Sequence, residues 1–383
     1  MTALAEEFDR GQLTHVRVPW THSMATDLRE NRTAYLLLLP SVLVFALLVV
    51  FPLINTIWGA FASTDAIGRF TGFAGLANFR DLAQDRYMVG IVLQTLIFVF
   101  GTVALTVLLS FPLALVLNQK FPGVVLAKAL ILLPWAAPLA IMSMTWRWIF
   151  DGQLGALNYL LHLFNITDVN ILWLNNPALA LGAVMFVEVW SSIPFMTITF
   201  LAGLQSIPPH IYDAAKMDGA NAWFELWDMT IPQMRRVFTI VALLSVIWAF
   251  RSFTVIWTMT RGNPFYRTDI SVTYLYKLAF KNLTFGQGFA LAFATFVLLA
   301  IFSVVSSLIL LFGSYSNSDL ANYSLIGLFL GVLFQGSMIY TGILPARIGV
   351  FVPMTPLVAN WLFGAALFMV LIRWVTKRNQ PRY

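Results

Sequence analysis

Residues 89–118 read Val89-Gly-Ile-Val-Leu-Gln-Thr-Leu-Ile-Phe-Val-Phe-Gly-Thr-Val-Ala-Leu-Thr-Val-Leu-Leu-Ser-Phe-Pro-Leu-Ala-Leu-Val-Leu-Asn118, without one Asp, Glu, Lys or Arg. In hydrocarbon a segment must satisfy its own backbone, and a helix does so with about 20 mostly apolar residues. Seven further segments meet that length, at 35–60, 124–149, 178–203, 237–259, 288–312, 321–344 and 352–374. The sequence therefore predicts an all-α, polytopic membrane protein of about eight transmembrane helices. Composition agrees: of 383 residues, 59% are apolar and 10% charged, against about 25% charged in a soluble domain. The absence of cysteine excludes disulfides, thiolate metal sites and a cysteine nucleophile. A net charge of +6, small and scattered, points to orientation in a bilayer and not to nucleic acid.

Residues 1–34 are polar and mixed in charge, and the apolar run after them continues past 20 residues with no small-residue cleavage pattern, as in a retained anchor. With this tail in the cytoplasm, the inner segments carry 13 basic residues and the outer ones nine. The basic tail Arg373, Lys377, Arg378, Arg382 and the basic-free stretch 148–215 support that direction. Both termini of this multi-pass membrane protein are expected in the cytoplasm. Trp146, Trp148, Trp173 and Trp257 then fall near the outer interface, where amphipathic rings sit. No repeat or linker divides the chain.

No Gly-Lys dipeptide occurs, so the phosphate-cradling loop of nucleotide hydrolases is absent in its usual form. The four histidines, at 15, 22, 162 and 210, lie far apart, and none makes an i, i+4 metal pair. No cofactor or metal site is expected, and the chain is not expected to be an enzyme by itself. An ion-coupled carrier would place several acidic or histidine relays inside its spans; here only Glu188 qualifies.

Between the fourth and fifth spans lies Gln205-Ser-Ile-Pro-Pro-His-Ile-Tyr-Asp-Ala-Ala-Lys-Met-Asp-Gly-Ala-Asn-Ala-Trp-Phe-Glu-Leu-Trp-Asp-Met-Thr-Ile-Pro-Gln-Met-Arg-Arg236. Pro208 and Pro209 suit a helix start, since proline fixes φ and its missing N–H is an orphan there. A first short helix is expected over 210–217, with Ala214 and Ala215 small enough for a close partner. Gly219 can take positive φ, end that helix and admit a second at about 221–230; Pro232 stops the second or starts the next span. Lys216 against Asp213, Asp218, Glu225 and Asp228 gives a net −3, which suits a basic groove. On spacing alone an ordinary helical-hairpin loop accounts for the segment equally.

Asp213-Ala-Ala-x-x-Asp218-Gly-Ala220 with Ile231-Pro232 resembles the EAA motif of binding-protein-dependent ABC importer permeases, with Asp213 for the usual Glu and Ile231 for the usual Leu. Gly75-Leu-x-Asn78-Phe79, Leu133-Pro-Trp-x-x-Pro138, Trp146-x-Trp148, Gly155-x-x-Asn158, Thr260-x-Gly262-x-Pro264 and Phe285-Gly-Gln-Gly288 are similar to the maltose-type carbohydrate permeases. The resemblance implies a six-helix permease core over 35–312 and a coupling segment at 208–232 that docks on a separate ATPase. The ATPase-coupling residues would be Asp213, Ala214, Ala215, Asp218, Gly219, Ala220 and Pro232. It further implies an inner-membrane location, a dimer of ABC ATPase subunits, a second related permease, an external solute-binding protein and a sugar, oligosaccharide or polyol substrate. Residues 313–383 exceed the family pattern and are expected to form an extra C-terminal helical hairpin and basic tail.

Intramembrane charges are costly and face a partner or an aqueous path. Glu188 lies ten residues inside the fourth span, about 15 Å deep, and Arg251 eight inside the fifth, about 12 Å. They are placed to meet, either as an ion pair locking two helices or as contacts to substrate. With Trp190, Ser191, Trp248 and Thr254 they form the expected substrate path, supplying hydroxyl-pairing groups and aromatic faces. Pro194 is expected to break the fourth helix near this depth.

Overall fold

The computed structural model describes residues 32–312. Of these, 32–48 fall in one compact unit and 49–312 in another. The described part of the first is helix α1, Arg32–Phe45, running into a π-helical turn at Ala46–Val50.

In the second unit, α2 (Phe51–Phe61) leads to a short antiparallel hairpin, β1 (Ala62–Thr64) and β2 (Phe70–Phe73), pairing Ala62 with Phe73. Its turn is organised by Asp65, whose Oδ1 accepts from the amides of Ile67 and Arg69 at 3.1 and 2.7 Å. The expectation of an all-helical chain passed over this hairpin because its strands are only three and four residues long. Next come α3 (Ala77–Gln84) and the 30-residue α4 (Met88–Leu117). Helices α5 (Val124–Ala136) and α6 (Leu139–Ile149) follow, then α7 (Ala156–Leu163) and α8 (Ala180–Gln205). After α8 stand α9 (Pro209–Met217) and α10 (Ala222–Phe224), which passes through a π-helical turn at Glu225–Thr230 into α11 (Ile231–Phe250). The described chain ends with α12 (Phe253–Met259), α13 (Ser271–Tyr276) with its π-helical extension Lys277–Lys281, and α14 (Phe285–Phe312).

Among the described residues five helices are long and apolar enough to cross a membrane, at 36–61, 88–117, 180–205, 222–250 and 285–302; the bent pair α5–α6 has the length and composition of a sixth span if its two arms are taken together. Two of the eight expected spans, 321–344 and 352–374, lie outside the described residues with the rest of the C-terminal hairpin. Two others differ from the simple expectation. The segment 124–149 is not one rod: α5 and α6 meet at 91°, because Pro138 drives Ala137 out of the helical region to φ −76°, ψ 139°. The segment 237–259 is broken too, and its long helix ends at Phe250 and not at 259.

Helix α8 is the centre of the bundle. Its Val184 and Val187 join Phe98 of α4, Val246 of α11 and Ile256 of α12 in one apolar cluster. Further along, Met196, Phe200 and Leu204 meet Phe111 of α4 and Met234 and Val241 of α11 in a second. At Gly203 side chains of α11 pack directly on the α8 backbone, so that a Cβ would lie 2.8 Å from the Val237 side chain and 2.9 Å from that of Met234. Pro194 does not break α8, which runs unbroken from 180 to 205. The carbonyls near it are used instead: Ser110 Oγ donates to Ile193 O at 3.3 Å. By contrast α5 buries none of its residues, and the outward faces of α2, α4, α5 and α6 are lined with exposed Leu, Val, Ile and Trp, as lipid contact requires.

Candidate functional site

Two features stand at opposite ends of α11. The first is α9 with the turn after it. Pro208 caps α9 in extended conformation and Pro209 opens it, in the position where a missing N–H costs nothing. The helix ends in a Schellman arrangement: Ala220 N–H donates to Ala215 O at 2.9 Å and Gly219 N–H to Lys216 O at 3.0 Å. Gly219 stands at φ +82°, which only glycine adopts without strain. Asn221 caps α10, its side chain accepting from Phe224 N at 2.9 Å. Asp213, Ala214, Lys216, Asp218 and Gly219 are exposed, so the acidic face is free for contact. Ala215 departs from expectation, being buried against its own chain, and only Ala214 is left to receive a close neighbour. Ala220 is half-buried. Pro232 lies in the first turn of α11 and starts that helix, with no stop before it.

The second feature is a cavity of about 300 Å³ in the bend between α5 and α6, lined also by α8 and by the break after α11. Glu188, Ser191, Ser192, Trp248, Arg251 and Ser252 all face it. Glu188 is buried, and its Oε2 accepts from Ser252 Oγ. Ser191 and Ser192 turn their hydroxyls back to the Glu188 carbonyl, both at 2.9 Å, so their oxygens still have acceptor capacity toward the cavity. Arg251 is not inside a helix: it caps α11 at φ −96°, ψ 4°, and the chain turns there before α12. Trp190 and Thr254 do not line the cavity. Trp190 packs edge-on against Trp146 at 5.3 Å, in the apolar cluster.

The α5–α6 bend supplies Pro134, Trp135, Ala137, Leu139 and Met142 to the same cavity, none of which was expected there. Trp135 lies stacked with Phe195 at 5.8 Å, and Phe195 in turn meets Trp248 at 5.0 Å. The signal that could have found them is the pair Pro134 and Pro138 inside an otherwise smooth apolar run.

Residues 107–315, more than half of the chain, match the family described as binding-protein-dependent transport system inner membrane component. The chain belongs to this family. It is a membrane-embedded permease of an ABC importer. The permease is 35% identical over 277 residues to a probable ABC transporter permease protein of Brucella abortus, covering 72% of this chain and 96% of that one. It is 33% identical over 280 residues to the trehalose/maltose transport system permease protein MalF of Thermococcus litoralis, covering 72% and 93%. In fold it is similar to a chain of a bacterial alginate ABC transporter solved in complex with an alginate pentasaccharide-bound periplasmic protein. There the TM-score is 0.62 at 20% identity, over 78% of this chain and 98% of that one.

Several motif residues of the permease are structural. Asn78 Nδ2 donates to the carbonyls of Ala60 and Ala62 at 3.0 and 2.9 Å, closing the end of α2. Asn158 donates to Gly152 and Ile171 and accepts from Trp173 Nε1, each at 3.0 Å. Thr260, Gly262 and Thr268 belong to a buried polar knot: Thr260 and Thr268 hydroxyls lie 2.7 Å apart, and Thr268 donates to Asn263 O at 2.8 Å. Next to it Asp269 and Lys277 form a buried ion pair, with the ammonium also 4.5 Å from the Tyr266 ring centroid.

Proposed function

We propose that this permease forms half of the solute path of an ATP-driven carbohydrate importer, with α9 on the cytoplasmic side gripped by a separate ATPase. What carries the proposal is that α11 has α9 and its exposed acids at one end and the Glu188 cavity at the other, so one rigid element links grip and path. Both termini then lie in the cytoplasm, a second related permease completes the path, and an external solute-binding protein delivers the solute. Asp213, Ala214, Asp218 and Gly219 make the ATPase contact, while Ala215, Ala220 and Pro232 hold its geometry.

The cavity chemistry suits a polyhydroxylated solute. A carboxylate and three serine hydroxyls pair with sugar hydroxyls, while the Trp135 and Trp248 rings cover the apolar faces of pyranose rings. Arg251 adds a cation that an acidic sugar residue would use. The named cargoes of the relatives, trehalose and maltose and alginate, are carbohydrates. In this scheme solute moves by alternating access, the ATPase shifting the balance between two states through its differential grip on α9.

The test uses the complex purified through a tag on this chain. Asp218→Cys, a new thiol in a chain that has none, is cross-linked with a short bifunctional reagent. The expected product joins the permease to a nucleotide-hydrolysing subunit, and uptake of labelled maltose or an acidic oligosaccharide falls when Glu188→Gln is introduced. A complex that contains no ATPase, or in which Asp218→Cys is reached only from outside the cell, overturns the proposal.

A further inference from the structure

The junction of α10 with α11 is a π-helical turn: Ile231 N–H donates to Leu226 O, five residues back. Such a turn carries one residue more than the α-helix needs, and it persists where side chains hold it. Thr230 is buried and holds this one, its hydroxyl donating to Glu225 O at 2.8 Å. A hydroxyl has one proton to give. At its second contact, 3.1 Å from Tyr212 Oη, Thr230 Oγ1 is therefore the acceptor and the tyrosine O–H the donor. A directed chain results, from Tyr212 O–H through Thr230 Oγ1 to the Glu225 carbonyl.

Tyr212 precedes Asp213 on α9 and is half-buried, packed with Ile211, Leu226 and Ile231 against the Met234 cluster. From Thr230, α11 rises through 20 residues, about 30 Å of helix, to Arg251 and Ser252 at the Glu188 cavity. Apolar packing between α9 and α11 tolerates sliding. A hydrogen bond across the same contact has one geometry, and it is anchored to the turn that sets the direction of α11.

We infer that the Tyr212–Thr230 hydrogen bond is the joint through which movement of α9 is passed to α11, making both positioning residues for transport. This rests on the gripping of α9 proposed above. The phenol ring supplies packing in either case; the hydroxyl alone supplies the directional link.

The chain has no cysteine, so Ala137→Cys, in the exposed cavity wall between α5 and α6, is a clean reporter of the cavity. The complex is purified through this chain and placed in nanodiscs. Alkylation of the reporter by a hydrophilic maleimide is timed without nucleotide and with ATP and vanadate, and ATP hydrolysis is measured in parallel. The expected result is that Tyr212→Phe and Thr230→Val each shrink the nucleotide-dependent change in labelling rate by about fivefold, the size set by one hydrogen bond. Hydrolysis per complex stays within about twofold, and Thr230→Ser, which keeps the hydroxyl, behaves like the parent. An unchanged labelling response in Tyr212→Phe and Thr230→Val overturns the joint, as does Thr230→Ser behaving like Thr230→Val. A loss of hydrolysis in proportion to labelling marks a merely structural role and overturns it equally. Should Tyr212→Phe fail to assemble, the valine and serine variants decide. A parent complex with no nucleotide response sinks the gripping of α9 and the joint with it, a failure distinct from a responsive parent whose variants also respond.

Discussion

Gly262 faces Asp269 so closely that a Cβ on residue 262 would lie 2.0 Å from Asp269 Oδ1. Residue 262 also stands at φ +80°, so glycine is demanded twice, by conformation and by space. Asp269 has no room to yield, since it is fully buried and paired with Lys277. Gly262→Ala is therefore expected to cost about 3 kcal/mol or more, the sum of left-handed strain and a disturbed buried ion pair. The thermal midpoint of the detergent-purified complex checks this; a shift of a degree or less would refute it.

Burial pushes the Asp269 carboxyl up to about 6, against the opposing pull of Lys277. The sign follows from linkage. A carboxyl raised above its unfolded value of 3.8 burdens the folded state most when both states are ionised, above the folded pKa. Lowering the pH from 7 to 5 lets the folded protein take up the proton first, and this term then favours folding by about 1 kcal/mol. Asp269→Asn lacks the term. The difference in thermal midpoint between parent and Asp269→Asn should accordingly move in the parent's favour across that interval, and a pH-independent difference would show that Asp269 does not titrate there.

Ser252 meets the Glu188 carboxylate at the break between α11 and α12, and both face the cavity. Glu188→Gln should lower uptake at least tenfold, since a charge-assisted hydrogen bond is worth about 1.5–3 kcal/mol. Ser252→Ala should lower it less, because the Glu188 side chain still faces the cavity. Arg251→Met alone and with Glu188→Gln measures whether the two charges act on each other: coupled residues give a double-variant loss smaller than the two single losses combined. Equal, strictly additive losses would show that they act separately.

Gly219 presents the opposite case to Gly262, for nothing lies within 4 Å of its hypothetical Cβ. Only conformation, φ +82°, opposes a substitution. Gly219→Ala is expected to cost about 1 kcal/mol, to leave the complex assembled, and to reduce ATP hydrolysis coupled to uptake by misdirecting α9. Gly219→Asn should do less harm, since asparagine tolerates the left-handed region. Equal activity of all three forms would remove the turn from the coupling path.

How much of this was legible depended on whether the deciding interaction is local. Uncharged runs such as 89–118 announce their helices, and α4 at 88–117 follows the expected segment within one residue at each end. The end of α9 was legible as well, because a helix stop at Gly219 is written in neighbouring residues. The bend at Pro138 was missed since hydropathy is blind to direction, although the proline itself was in view. Arg251 was placed inside a helix for the same reason, no proline or glycine marking the break there. Bonds between distant segments were out of reach altogether: Ser271 N–H donates to Thr95 Oγ1 at 2.9 Å across 176 positions, and Tyr274 OH donates to Asp85 across 189. Composition does not encode such pairings. The cavity was half-seen, with Glu188, Ser191, Trp248 and Arg251 found on α8 and at the end of α11 and the whole α5–α6 wall unforeseen.

That wall has a further consequence. Among the described residues nothing buries any side chain of helix α5, and Trp135, Ala137 and Leu139 are exposed where they border the cavity. The vessel around Glu188 is thus a half-shell. On the reading proposed above, a solute resting there would keep one flank uncovered by the described residues, and closing that flank would fall to a neighbouring subunit.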